Sequence, residues 1–168
     1  MDGSVDCWGY AGYSATVPPS GTFETLDSGM FHVCGIQTDS SLECWGFDTY
    51  GESTPPSGSF KSVSAGGYHT CGVKTDGTLA CWGFDHYGQS TPPSGTFESV
   101  SAGGEHTCGV KTDGTMECWG WDQFGQSTAP SGTFTSVGSG YQHNCATKTD
   151  GSLECWGENT AAAIPPGP

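Results

Sequence analysis

The chain has 168 residues, room for one domain of ordinary size, with 28 Gly, 10 Pro and only 33% hydrophobic residues. Glycine and proline at that density point to disorder or many turns, and 12% aromatic residues, six of them Trp, argue against disorder. Four lysines against 18 acidic residues give a net charge of −14 and no basic cluster, so neither nucleic acid nor a membrane surface is an expected partner. No apolar run approaches the roughly 20 residues of a membrane span. Residues Met1–Ser4 lack the basic and apolar regions of a signal peptide, so none is expected in the chain as given.

Self-comparison organises the rest. Cys-Trp-Gly recurs at Cys7, Cys44, Cys81, Cys118 and Cys155, in steps of 37 residues. His-x-Cys recurs with the same period at His32/Cys34, His69/Cys71, His106/Cys108 and His143/Cys145. Phe23, Phe60, Phe97 and Phe134 keep the same step. The spacing predicts one repeat domain over 1–168. It starts with an orphan strand over 1–9 that matches only the last third of a unit. Four full units follow at about 20–46, 57–83, 94–120 and 131–157, joined by Pro-rich connectors, and a tail closes the chain at 158–168.

No segment has a helical period, and Gly and Pro recur too often for long helices. Each unit carries three short strand-like runs, as in Phe97–Ser101, Thr107–Lys111 and Thr115–Trp119. The second and third are joined by Thr-Asp-Gly, a three-residue hairpin loop whose last position wants a left-handed backbone. Gly77, Gly114 and Gly151 supply it; Ser40 stands there in the first unit and is expected to be strained or remodelled. Adjacent prolines make segments such as Ser90–Gly95 extended connectors.

The hairpin sets a register. With Thr75-Asp76-Gly77 as the loop, Val73 faces Leu79, Gly72 faces Ala80 and Cys71 faces Cys81 on a non-hydrogen-bonded pair, where Cα atoms lie about 4.5 Å apart. The same count predicts Cys34–Cys44, Cys71–Cys81, Cys108–Cys118 and Cys145–Cys155 disulfides, and with them an oxidising, extracellular compartment. The rival reading is a metal, since His69 and Cys71 share a strand face with Cys81. Four copies would need four metals, whereas directly opposed cysteines already suit a disulfide; no metal or cofactor is expected. The repeated His is read as a structural residue tying strand to turn. Cys7 has no partner ten residues earlier, so it is expected to be unpaired or intermolecular, in a homo-oligomer or in part of a longer repeat array.

The run Ser101-Ala102-Gly103-Gly104-x-His106-Thr107-Cys108-Gly109-Val110-Lys111-Thr112-Asp113-Gly114, followed by Cys118-Trp119-Gly120-x-Asp122-x-Phe124-Gly125-Gln126, resembles the repeat of the regulator of chromosome condensation family. The short unit is more similar to the three-stranded-blade variant of the secreted β-lactamase inhibitor protein type. The resemblance implies an all-β fold: a β-propeller, or a propeller-like arc, of three-stranded blades. Such propellers serve as varied binding platforms. The exchange-factor and chromatin roles of the family's namesake are not carried over, because no Lys/Arg patch exists and the compartment differs.

Within a repeat, constant positions hold the fold and changing positions are free for function. The Trp of each Cys-Trp-Gly is constant and expected between blades. The loop after it changes, offering Phe47, Asp48 and Tyr50, then Phe84, Asp85, His86 and Tyr87, then Trp121, Asp122 and Phe124. Aromatics beside carboxylates suit a protein surface or a sugar ring; their structural role would be to cover blade edges while the Asp closes a turn. A second changing position precedes each repeated His: Phe31, Tyr68, Glu105 and Gln142. No catalytic constellation departs from the repeat. The expectation is a secreted, non-enzymatic binding module for a protein or carbohydrate ligand. The alternative is a structural protein that self-assembles into oligomers or fibres through open blade ends.

Overall fold

The computed structural model describes residues 4–9 and 12–158. After a short 3-10 turn at Gly12–Ser14, twelve strands follow as four antiparallel three-stranded sheets, or blades. Blade 1 is β1 (Phe23–Ser28), β2 (His32–Gln37) and β3 (Leu42–Gly46); blade 2 is β4 (Phe60–Ala65), β5 (His69–Lys74) and β6 (Leu79–Gly83). Blade 3 is β7 (Phe97–Ala102), β8 (His106–Lys111) and β9 (Met116–Gly120); blade 4 is β10 (Phe134–Ser139), β11 (His143–Lys148) and β12 (Leu153–Gly157).

The predicted hairpin register is the observed one. Val73 pairs with Leu79, Gly72 with Ala80 and Cys71 with Cys81. The four disulfides bridge the predicted pairs, with Cα atoms 4.0–4.1 Å apart. The loop is closed by Lys74 N donating to Thr78 O at 2.8 Å and Gly77 N to Lys74 O at 2.9 Å. Asp76 Oδ1 accepts from both Thr78 N and Thr78 Oγ1.

Gly77 has φ 86°, and Ser40 takes the same left-handed place at φ 67°. The first hairpin is therefore strained rather than remodelled. Ser40→Gly is expected to raise stability by about 1 kcal/mol, the cost of that backbone for a residue with a Cβ; a urea melt of the variant measures it.

One feature was not legible in the repeat. In every blade the pairing of first and second strands slips by one residue after the leading Phe, for example between Phe60 and Ser62. The bulge turns the Phe ring across the second strand. In blades 1, 2 and 3 the ring lies over a glycine, where a Cβ on Gly109 would sit 2.7 Å from Phe97 Cδ1; blade 4 carries Ala146 at that place.

The core lies between blades. Cys34 and Ile36 of blade 1 pack with Phe60 and Trp82 of blade 2, and Val110 of blade 3 with Phe134 and Ala146 of blade 4. First strands of successive blades lie side by side as an inner row, and each second strand packs on the next blade's first strand. The turns after the first strands line a groove of about 290 Å³ that includes Gly66, Gly103 and Gly140. The blades form an arc whose outer faces stay open: Leu26 on blade 1 is 43% exposed and Leu153 on blade 4 is 56% exposed.

The orphan strand expected over 1–9 is not formed at residues 4–9. A third strand is held by a second strand ten residues upstream, and none of the described residues occupies that place. Cys7 is free and half-buried. Residues 1–3 and most of the tail expected at 158–168 lie outside the described residues.

Candidate functional site

The site is built from the loop that follows each third strand. Gly46, Gly83 and Gly120 leave the strand with positive φ. The next residue then bonds back to the residue before the repeated His: Phe47 N to Phe31 O, Phe84 N to Tyr68 O and Trp121 N to Glu105 O, at 2.8–2.9 Å. The two sets of changing positions are thus brought to one edge of the arc.

Each loop Asp holds its own loop. Asp48 accepts from Ser53 N and Thr54 Oγ1, Asp85 from Ser90 N and Thr91 Oγ1, and Asp122 from Ser127 N and Thr128 Oγ1, all at 2.7–2.8 Å. Both oxygens of each carboxylate therefore already accept one bond inside the loop, while the three residues stay exposed.

A second anchor lies beneath. Glu52, Gln89 and Gln126 are fully buried, and their side-chain oxygens accept from Tyr50 N, Tyr87 N and Phe124 N at 2.8–2.9 Å. Their backbone carbonyls accept the indole N–H of the next blade: Trp82 to Glu52, Trp119 to Gln89 and Trp156 to Gln126. Sequence reasoning did not single these residues out, although Gly-Glu/Gln-Ser recurs after each aromatic.

Glu52 is the charged exception, and its burial pushes its carboxyl above the ordinary value of 4.5. A raised folded value means the carboxylate form costs stability once pH rises through it. Glu52→Gln, the residue the sister blades use, is expected to raise stability at pH 7, an advantage that fades as pH falls to the ordinary carboxyl value of 4.5. Urea melts of both proteins at pH 4 and pH 7 read the difference.

On these anchored loops the rings form a continuous ladder. Tyr50 meets Phe84 of the next blade at 4.9 Å, and Tyr87 meets Trp121 at 6.2 Å. Phe31 and Tyr68 join it (5.8 Å), Phe47 packs on Tyr68 (6.0 Å), and Trp121 on Phe124 (5.4 Å). His86 stacks on Phe84 and meets Tyr87 edge-on. Tyr13, which the sequence reading missed, starts the ladder against Phe47 at 4.8 Å. Its signal is positional: it lies 37 residues before Tyr50. The ladder is half wet, with Tyr13, Tyr50, Tyr87 and Phe124 each 40–55% exposed.

The repeated histidines do different work from the turn-tying role expected. His32 Nε2 and His69 Nε2 bond Thr70 Oγ1 and Thr107 Oγ1 of the next blade, and His106 Nε2 bonds Asn144 Oδ1, each at 2.8 Å. Thr70 and Thr107 donate their own protons to Glu52 O and Gln89 O, so Nε2 must be the donor and Nδ1 is left bare. Each histidine is a strap between blades. His143 on blade 4 is exposed.

Residues 60–89, 97–126 and 134–161 match the family model described as regulator of chromosome condensation (RCC1) repeat. The chain belongs to the regulator of chromosome condensation repeat family. These RCC1 repeats match no curated protein sequence. Among solved structures, the chain is similar to the CRINKLY WD40 ectodomain of the Arabidopsis thaliana receptor kinase ACR4, at 29% identity and a TM-score of 0.79, over 98% of this chain and 60% of that one. It is similar to the ectodomain of the Physcomitrella patens receptor kinase CR4 at 28% identity and a TM-score of 0.79, over 94% of this chain and 47% of that one. Yeast RCC1 (Prp20), solved with Kap60, shares the fold at 16% identity and a TM-score of 0.72, over 84% of this chain and 45% of that one. The RCC1 repeats here therefore span about half of each of these solved chains.

Proposed function

We propose that this chain is an extracellular, non-enzymatic binding module that grips a protein or glycan ligand along its aromatic edge. The observation that carries the reading is the ladder itself: rings from successive blades in contact, held on anchored loops and left 40–55% exposed at four positions. Exposed, pre-positioned aromatics are the side chains that dominate binding energy at interfaces, because they bury large area with little loss of rotamer freedom. Four disulfides and the similarity to two receptor ectodomains support an extracellular setting.

The test is a screen of immobilised oligosaccharides and secreted proteins, repeated with the double variant Trp121→Ala/Phe124→Ala. A specific hit is expected to lose more than about tenfold in affinity, as for interface hot spots, with unchanged far-ultraviolet circular dichroism. Affinity that survives the double variant removes the site.

A second reading, self-assembly through the open ends, is supported by exposed Leu26 and Leu153 and by Trp8, 88% exposed beside free Cys7. The contact chemistry favours the first reading. Copies stacked head to tail would set His143 against Val33, the counterpart of Thr70, which offers its side chain no acceptor. Gly138 would stand where Ser64 and Ser101 accept Ala102 N and Ser139 N of the following blade.

A further inference from the structure

We infer that the aromatic edge takes a cationic protein segment, one whose Arg or Lys side chains lie over the ladder rings; this rests on the binding reading above and narrows its ligand. The argument starts from where the charges are. The chain has four basic residues. Lys74, Lys111 and Lys148 end β5, β8 and β11, at the hairpin-loop edge of the blades, and Lys61 sits beside Phe60, which pairs with Lys74. Three of these lysines are already paired with Glu98, Glu117 and Glu154. The repeated His that adjoins the aromatic loops begins each second strand, at the other edge. All the lysines are therefore a strand's length away from the ladder.

The aromatic edge carries the opposite sign. Asp48, Asp85 and Asp122 are exposed on it, Glu105 takes the place of Phe31 and Tyr68, and Glu158 takes the place of Phe47 and Phe84. Glu158 N bonds Gln142 O as those residues bond their own counterparts. A row of π-faces interleaved with uncompensated carboxylates attracts a cation twice over, through the ring quadrupole and through the net field.

A neutral sugar fits less well. Sugar recognition relies on directed hydrogen bonds from polar groups that hold the ring in place. Here both oxygens of each loop Asp already accept a bond within the loop, so these groups act through charge more than through direction. Charge survives that engagement. The guanidinium group, planar and weakly hydrated, is the cation that stacks best on such rings.

The experiment is isothermal titration of the full chain with a synthetic peptide of alternating Arg and Gly, with the same peptide carrying Gln for Arg, and with a neutral cello-oligosaccharide. The Arg peptide is expected to bind, and to weaken about tenfold as salt rises from about 50 to 200 mM. Tyr87→Ala/Trp121→Ala should weaken it about tenfold or more, and Glu105→Gln about two- to fivefold. If the double variant fails to fold, Tyr50→Ala replaces it, with about a fivefold loss expected.

Arg-peptide binding that persists unchanged in the ring variants is charge attraction anywhere on an acidic protein, and it overturns the inference. So does an Arg peptide that binds no better than the Gln peptide, or not at all. If the Gln peptide or the oligosaccharide binds in a ring-dependent way while the Arg peptide does not, the aromatic edge remains a binding site and only its cationic ligand falls.

Discussion

Lowering the pH from 7 towards 4 is expected to unfold the arc, with stability falling from pH 6.5 downwards. The cause is the row of histidine straps. Burial holds His32 down to about 4, against a smaller opposing pull from Asp27 and Asp48. Burial, with His106 and His32 as like-charged neighbours, holds His69 down to about 3. His106 is lowered for the same first reason, partly offset by its bond to Asn144. The folded values lie below the unfolded value of 6.5, so between 6.5 and the folded value the unfolded chain binds more protons. Stability is then full above pH 6.5 and drains away below it.

The size is large. Each unit of pH within that window removes up to about 1.4 kcal/mol per histidine, so by pH 4 His32 and His69 together remove roughly 6 kcal/mol. That is comparable with the whole stability of an ordinary domain, about 5–15 kcal/mol. The bare Nδ1 atoms make the effect stricter, since a proton there would have no acceptor.

Urea midpoints at pH 8, 6, 5 and 4 test this. His69→Gln, which keeps an N–H for Thr107 but does not titrate, should flatten the slope by about one histidine's share, while His143→Gln controls for changing a repeat histidine without touching a strap. A midpoint that stays level from pH 8 to pH 5 refutes the strap account. The turn carboxylates Asp39, Asp76, Asp113 and Asp150 act lower down: bonds from the residue two positions on hold each below 3.8, so their contribution persists until pH falls beneath that value.

Removing one central disulfide, by Cys71→Ala/Cys81→Ala, is expected to cost roughly 2–3 kcal/mol, since the bridge closes a loop of ten residues' separation in the unfolded chain. The loss is felt beyond one hairpin. Cys71 is fully buried, and its counterpart in blade 1, Cys34, belongs to one buried cluster with Phe60 and Trp82 of the next blade. Loosening such a hairpin loosens the interface on which the neighbouring blade folds. The outer bridge, Cys145–Cys155, has both cysteines only half-buried and no described blade beyond it, so Cys145→Ala/Cys155→Ala should cost less. Denaturant melts of the two variants compare the losses. Equal losses would mean that the bridges act on the unfolded chain alone, and no loss in either would mean that the hairpins are already formed there.

Much of the fold was legible because it is local. The hairpin Thr75-Asp76-Gly77 carries its turn chemistry in three residues, and counting outward from it places Cys71 opposite Cys81 without any tertiary information. The bulge after Phe60 was not legible, because it answers to a ring lying across Gly72 of a paired strand. The candidate site was half legible. Variation against a constant repeat pointed to Phe84, Tyr87 and Trp121, but not to Tyr13 or to buried Glu52, Gln89 and Gln126. Those residues act through contacts with loops and blades that a linear reading does not join.

The repeat length, the three strands per unit and the cysteine pairing all follow from residues near one another in the chain, where spacing dictates geometry. Which blade each histidine ties, how the rings of separate loops meet in one ladder, and which end faces stay open were settled only by packing. Those are relations between residues about 37 positions apart, and only the approach of one blade to the next brings them within bonding distance.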